Sequence, residues 1–366
     1  MSRERFRVAV IGTGMIAQTA HIPAWLALGE DVELVAVMDV IEERAQKAAH
    51  HFGIPHAYAD WQQMLDDVGP DIVSVCTPNV YHMDPTIAAL RAGAHVLVEK
   101  PISTCVANAE AMYDVAASVG RELFVTQTAR FSASSRAAWE FAAAGKLGEM
   151  YYAETAVLRR RGIPTWGVFH IKEHNAGGPV YDLGVHMIDL LLWIMGNPRA
   201  VAVSGQTYMK LGNLEEGLVT SLADSGAPVG VLTPRPYDCR EFDVEDFAAA
   251  FIRLEGGATV VLRTSWAANV PDDAGKTFIL GTQGGLQLNP LQFITNVERY
   301  QANIDLKLPR DRDVAFSGHF GALAHAVRVL RGEEEKLVKR AEVINVMRVL
   351  DGIYRSAEVG AEVQLD

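Results

Sequence analysis

The short apolar run Arg7-Val8-Ala9-Val10-Ile11 leads straight into Gly12-Thr13-Gly14-Met15-Ile16-Ala17, and a helical pattern follows over about 15–28. A buried strand, a glycine turn and a helix in that order are the opening unit of a doubly wound parallel sheet. Gly12 permits the tight turn, and Gly14 lets a pyrophosphate approach the backbone. The start of the helix offers free N–H groups to the phosphates. Ala17 stands where a dinucleotide fingerprint has its third glycine, and it is small enough for the same helix–strand packing. Alone, such a motif also suits a plain structural turn.

The alternation continues. Strands are expected at 33–38, 71–75, 95–98 and 122–125, with helices at 42–51, 84–92 and 106–118 between them. After Gln127 the rhythm changes. Strands are expected at 150–157, 200–208, 246–254 and 258–266, and the turns Gly256-Gly257 and Gly284-Gly285 suit an antiparallel sheet. Helices are expected at 180–195, 319–331 and 341–358. The spacing predicts an α/β protein with a dinucleotide-binding domain over 1–128 and an α+β domain over 129–366.

A chain of 366 residues exceeds the usual single-domain range, in keeping with two domains. Its 33 Lys and Arg against 45 Asp and Glu leave a net charge of −12, which argues against a nucleic-acid or anionic-membrane surface. Cys76, Cys105 and Cys239 are odd in number and widely spaced, so neither a disulfide framework nor a zinc site is expected. The apolar run at 8–11 is too short for a signal peptide and the one at 190–195 too short for a membrane span. A cytoplasmic protein without a metal is expected.

Four groups of residues carry the chemistry. Asp39 ends the second strand, where a carboxylate accepts hydrogen bonds from a ribose and repels a 2′-phosphate. No cation follows it until Arg44, so NAD is favoured over NADP. Thr77-Pro78-Asn79, with His82 close behind, follows the third strand, and Glu99-Lys100-Pro101 ends the next. Loops at these strand ends face the ligand crevice. Lys100 there is expected to stabilise a developing oxyanion, with burial and nearby positive charge lowering its pKa. With Met15, Ile16 and Gln127, these residues are the expected cofactor contacts. Finally, Asp182 and His186 lie four apart on a predicted helix and so on one face, and Asp189 extends the stripe. A histidine near neutral pH suits removal of a hydroxyl proton. Isolated, the lysine would more often be a surface residue and the histidine a core residue.

Together these motifs resemble the glucose–fructose oxidoreductase / inositol dehydrogenase (Gfo/Idh/MocA) family over nearly the whole chain. The resemblance continues in Gly281-Thr282-Gln283-Gly284 and the Ser356-Ala357 helix. It implies a Rossmann domain followed by an open, mostly antiparallel sheet whose faces pair into homodimers or homotetramers. It also implies that the Lys100–Pro101 bond is often cis, that Lys100, Asp182 and His186 are catalytic, and that Arg130 contacts substrate. Ala17 and the short Gly178-Pro179 segment depart from the family pattern without removing a chemical group.

The expected activity is hydride transfer between NAD and a secondary hydroxyl or ketone of a sugar, sugar derivative or cyclitol. His186 takes the proton, Lys100 stabilises the oxyanion, and Asp182 orients His186 and the substrate. Trp166 is expected to stack on the sugar, with 159–166 and 172–175 bordering the cleft. An NAD-retaining glycosidase, a diol dehydrogenase for a non-sugar substrate and a non-catalytic dinucleotide-binding regulator are the alternatives.

Overall fold

Six strands run parallel in the order β3-β2-β1-β4-β5-β6 in the computed structural model, which describes residues 5–214, 232, 234–271, 274–308 and 317–365. They are β1 (Phe6–Ile11), β2 (Val32–Met38), β3 (His56–Tyr58), β4 (Ile72–Val75), β5 (His95–Val98) and β6 (Leu123–Val125). Helices α1 (Ile22–Ala27), α2 (Glu42–Phe52), α3 (Trp61–Val68), α4 (Met83–Arg91) and α5 (Val106–Ser118) connect them. The central strands are buried on both faces, which is why they read as unbroken apolar runs. β3 and α3 were absent from the sequence expectation. With three and eight residues they are too short to show a period, and α3 owes its start to Asp60, whose side chain accepts from the Gln63 backbone N–H at 2.8 Å.

The helix expected over 15–28 is broken into a wide π turn, Ala17–His21, and α1. Pro23 explains the break, since its ring crowds the carbonyl four residues earlier and it has no N–H to give. The helix expected over 180–195 is likewise a π turn, Val180–Gly184, leading into α8 (Val185–Ile194). Two further helices precede it, α6 (Ala133–Ala143) and α7 (Lys172–Asn175), neither of them foreseen.

The second sheet has nine strands in the order β14-β13-β12-β11-β7-β10-β9-β8-β15. β7 (Met150–Leu158), β8 (Ala200–Tyr208), β9 (Phe247–Leu254) and β10 (Thr259–Ser265) were expected. A meander of β11 (Thr277–Gly281), β12 (Gly285–Leu288), β13 (Leu291–Val297) and β14 (Tyr300–Asp305), and the short β15 (Val363–Gln364), complete it. All pairs are antiparallel except β7 with β10. One face buries Val203, Ile252, Val260 and Leu262 against α8 and α10 (Arg340–Val359). Among the described residues, no helix is long and apolar enough to cross a membrane.

The last third of the chain does not stay with the second sheet. Helix α9 (Ser317–Leu330) lays Ala322, Leu323, Ala326 and Val327 on a cluster with Val8, Val10 and Ile72 of the first sheet and Trp25 of α1. The two sheets are thus tied by a returning helix as well as by the chain crossing at 126–132.

Arg130 sits at that crossing, and the structure corrects its expected role. It does not line the cleft. Its guanidinium is buried, forked onto Asp189 (Nε to Oδ2 2.8 Å, Nη2 to Oδ1 2.6 Å), and it reaches Glu342 through Nη1 at 2.6 Å. Asp189 therefore belongs to this scaffold and not to a catalytic stripe. The indole of Trp193 lies 5.4 Å from the guanidinium carbon, and Trp139 stacks on Trp193. Replacing Arg130 by Met leaves the Asp189 carboxylate buried without its partner. The expected loss is about 3–5 kcal/mol of unfolding free energy, read by urea denaturation; a loss under ~1 kcal/mol would show that the pair is not a structural tie.

Candidate active site

A cleft of about 1100 Å³ opens along the carboxyl ends of the parallel strands and is closed on its far side by the second sheet's loops. Gly12, Gly14, Met15 and Ile16 line one end of it. Gly12 has φ 87°, and a Cβ there would stand 2.9 Å from the Cys76 carbonyl, so only glycine fits the turn. A Cβ on Gly14 would meet nothing within 4 Å, which leaves the backbone open for a ligand's approach.

Asp39 lines the cleft beside this turn. Its Oδ2 accepts from the backbone N–H and hydroxyl of Thr13 at 2.9 and 3.1 Å, and its Oδ1 from the Ile41 N–H at 3.0 Å. The carboxylate thus braces the glycine turn as well as facing the cleft. Arg44 stands 3.5 Å away. An open glycine cradle, a helix start and a carboxylate at the second strand end together fit the diphosphate and ribose of a dinucleotide.

Thr77, Pro78, Asn79 and His82 also line the cleft. The loop they form is tied across to the second unit: Asn79 Nδ2 donates to the Asn175 carbonyl at 3.1 Å, and the Tyr81 hydroxyl meets His174 Nδ1 at 2.9 Å. His82, expected as a cofactor contact, lies in the cleft wall with its ring nitrogens turned to backbone carbonyls. Its Nδ1 faces the Pro101 carbonyl at 2.8 Å and its Nε2 the Thr77 carbonyl at 2.9 Å, and burial lowers its pKa, so the neutral ring donates its single N–H to one of the two carbonyls. Gln127, also expected as a cofactor contact, is buried behind the cleft lining, with no partner for Oε1 among the described residues.

Lys100 follows β5, and its peptide bond to Pro101 is cis. The Lys100 ammonium crosses to the second unit, donating to the Asp182 carbonyl at 2.9 Å and to Asp182 Oδ1 at 3.1 Å. The other carboxylate oxygen of Asp182 accepts from the Trp266 indole at 2.9 Å. Burial pushes the Asp182 carboxyl up, but Lys100, Arg159 and the Trp266 hydrogen bond together bring it below its ordinary value. The expectation that Asp182 orients His186 therefore needs correction, since the carboxylate is held by Lys100 and Trp266. Its place in the π turn accounts for this, because the wide turn breaks the α-helical four-residue register.

His186 lines the cleft at the start of α8. Burial, then the Lys100 ammonium, lowers its pKa below the ordinary histidine value, so it stands neutral. The turn that presents it is anchored by Glu245, whose carboxylate accepts from the Gly178 N–H at 2.9 Å, the Val180 N–H at 3.1 Å and the Tyr354 hydroxyl at 2.9 Å. A Cβ on Gly178 would overlap the Glu245 carbonyl.

Trp166 lines the cleft, largely buried against Phe169, with its indole N–H unpartnered among the described residues. Arg159 and Arg235 line it as well, and Arg235 is paired to Glu241 at 2.8 Å. Sequence reasoning did not single out Trp266, His21 or His319. Trp266 reads as the last residue of a strand, and no local spacing connects either histidine to Glu99.

Residues 6–127 match a family described as an oxidoreductase family with an NAD-binding Rossmann fold, and residues 135–287 match the Gfo/Idh/MocA C-terminal domain. The D-glucoside 3-dehydrogenase of Escherichia coli (strain K12) is 31% identical over 367 residues, covering 100% of this chain and 99% of that protein. D-Xylose 1-dehydrogenase (NADP(+)) 2 of Haloferax volcanii is 27% identical over 369 residues, 98% of this chain and 99% of that one. The fold of levoglucosan dehydrogenase, solved with NADH and levoglucosan, superposes with a TM-score of 0.82 at 20% identity over 99% of this chain and 100% of the other. Both units match in order, and the chain belongs to the Gfo/Idh/MocA family of oxidoreductases with an NAD-binding Rossmann fold.

Proposed function

We propose that this oxidoreductase moves a hydride between NAD and a secondary hydroxyl or ketone of a sugar or sugar derivative. One observation carries the reading: Lys100 from the first unit and the Asp182–Trp266 pair from the second meet in one wall of the cleft that also holds His186. When bound, NAD supplies the ring carbon that accepts hydride. The likeness to sugar dehydrogenases along the whole chain supports a sugar over a non-sugar diol.

In this reading a substrate hydroxyl lies between Lys100 and His186. His186, kept neutral by burial and by Lys100, takes the hydroxyl proton on its ring nitrogen. The Lys100 ammonium spends two of its N–H bonds on Asp182, and the third is left for the developing oxyanion. Asp182 acts as a positioning residue for Lys100, with Trp266 holding its second oxygen. Trp166 supplies an apolar face and an indole N–H to the sugar. For ketone reduction the same groups run in reverse.

Asp39 supports NAD over NADP, since its carboxylate faces the cleft where a 2′-phosphate would stand, although Arg44 beside it softens the repulsion. The uncovered face of the second sheet carries Tyr152, Phe251, Val261 and Phe278, all half-exposed, which supports pairing of two copies through it.

Incubation with NAD and a panel of glycosides, free sugars and cyclitols should yield NADH, with a higher kcat/KM for NAD than for NADP. Lys100→Ala and His186→Ala should each lower kcat by roughly 10²-fold or more. Near-normal turnover of either variant would remove the assignment. Glycoside cleavage with NAD retained, and no net NADH, would favour the glycosidase alternative instead. The lowered His186 pKa also sets the pH profile: the base stays deprotonated as pH falls, so the acid limb of kcat/KM should lie below 6.5. A midpoint at or above 6.5 that vanishes in His186→Ala would contradict that assignment.

A further inference from the structure

Glu99, next to Lys100, gathers donors that the mechanism above does not use. Its Oε1 accepts from His21 Nε2 at 2.7 Å, Thr126 Oγ1 at 2.8 Å and His319 Nε2 at 3.2 Å, and its Oε2 accepts from the Lys100 backbone N–H at 3.2 Å. The protons can be followed outward from the carboxylate. The Trp25 indole, a donor only, gives its N–H to Ser74 Oγ at 2.8 Å. The Ser74 hydroxyl then turns its own hydrogen to His21 Nδ1, 3.2 Å away, and this places the histidine's proton on Nε2, facing Glu99. Every donor along this chain is used with His21 neutral and Glu99 ionised.

The electrostatics agree with that assignment. Burial pushes the Glu99 carboxyl up, but the hydrogen bonds from His21 and His319 outweigh it and hold the group well below the ordinary carboxylate value. Burial also lowers His21 and, with Glu99, raises the Cys76 thiol, so neither neighbour adds a competing charge. Glu99 and His319 both line the cleft. What results is a fixed negative charge in the cleft wall, one residue from Lys100, braced back to a tryptophan in the core.

We propose that Glu99 is a built-in counter-charge that makes the cleft favour the oxidised, cationic nicotinamide of NAD over the neutral ring of NADH. The inference rests on the NAD-dependent reading above, in which the ring must come to the stretch of wall that holds Lys100. Hydride addition removes the ring's positive charge, so a fixed carboxylate nearby binds the two forms unequally. A ligand shifts an equilibrium only by its differential interaction with the two states, and Glu99 supplies such a difference without touching the substrate.

The test is binding. Dissociation constants for NAD and NADH are measured on the purified full chain, by calorimetry or by quenching of tryptophan fluorescence. Glu99→Gln removes the charge, and it should weaken NAD about tenfold relative to NADH, the scale of one charge lost from a partly buried site. Glu99→Asp keeps the charge and should hold the ratio within twofold of wild type. An unchanged ratio in Glu99→Gln, or an equal shift in both variants, would overturn the proposal. Should Glu99→Gln not fold, the wild-type ratio decides: the chain is expected to bind NAD at least as tightly as NADH, and a tenfold preference for NADH would overturn it. If wild type bound neither nucleotide, the oxidoreductase reading would fall as well, whereas binding of both with an unmoved ratio sinks the counter-charge alone.

Discussion

The contact between the Lys100 ammonium and Asp182 is the constraint on which the rest of the site depends, because its two partners come from the two different units of the chain. Lys100 is delivered by a parallel strand, and Asp182 by a π turn that leads into a buried helix. Neither group alone defines a reaction. Joined, with Trp266 on the far oxygen, they fix a donor at a known point in a cleft that has a nucleotide cradle at its other end. A weakly placed ammonium would sweep through solvent, whereas one held by two acceptors keeps its remaining N–H aimed.

Much of the surrounding structure serves to hold these parts in register. His82 ties the loop after β4 to the loop after β5, Asn79 and Tyr81 cross to the segment around α7, and Glu245 caps the turn that carries Asp182. Arg130 locks the chain crossing to α8 and α10. Helix α9 returns from the second sheet to cover the first and brings His319 to Glu99. The cleft is therefore a seam closed at several points, and the buried closures at His82, Glu245, Arg130 and Glu99 use polar groups that would be costly to leave unpaired.

The first sheet was legible because its information is local. β-branched runs, the Gly12–Gly14 turn and Asp39 each lie within a few residues of what they explain, and parallel strands buried on both faces give clear apolar runs. The second sheet was legible in β7 to β10; in the meander, β11 and β12 have only five and four residues, and β13 and β14 are mostly half-buried or exposed, so their period is faint. Lys100, Asp182 and His186 stood out through recognisable motifs, but their partnerships did not. A four-residue spacing places Asp182 over His186 only if the helix is regular, and here a π turn intervenes. Arg130 illustrates the complementary error: an arginine at a domain junction serves a substrate or a scaffold equally well in sequence, and the choice was made by Asp189 and Glu342, 59 and 212 residues away. The His21–Glu99–His319 cluster joins three distant segments, so nothing in any of them announces it.

In the proposed function, the seam between the two units is where hydride chemistry on a sugar happens. A crystal structure of the full chain with NAD and a turned-over sugar or its ketone tests this most directly. The reacting oxygen should lie within hydrogen-bond distance of both Lys100 Nζ and a ring nitrogen of His186, with the Lys100–Asp182–Trp266 contacts intact. A productive complex whose reacting oxygen meets neither side chain, or in which Asp182 leaves Lys100 to bind His186, would contradict it.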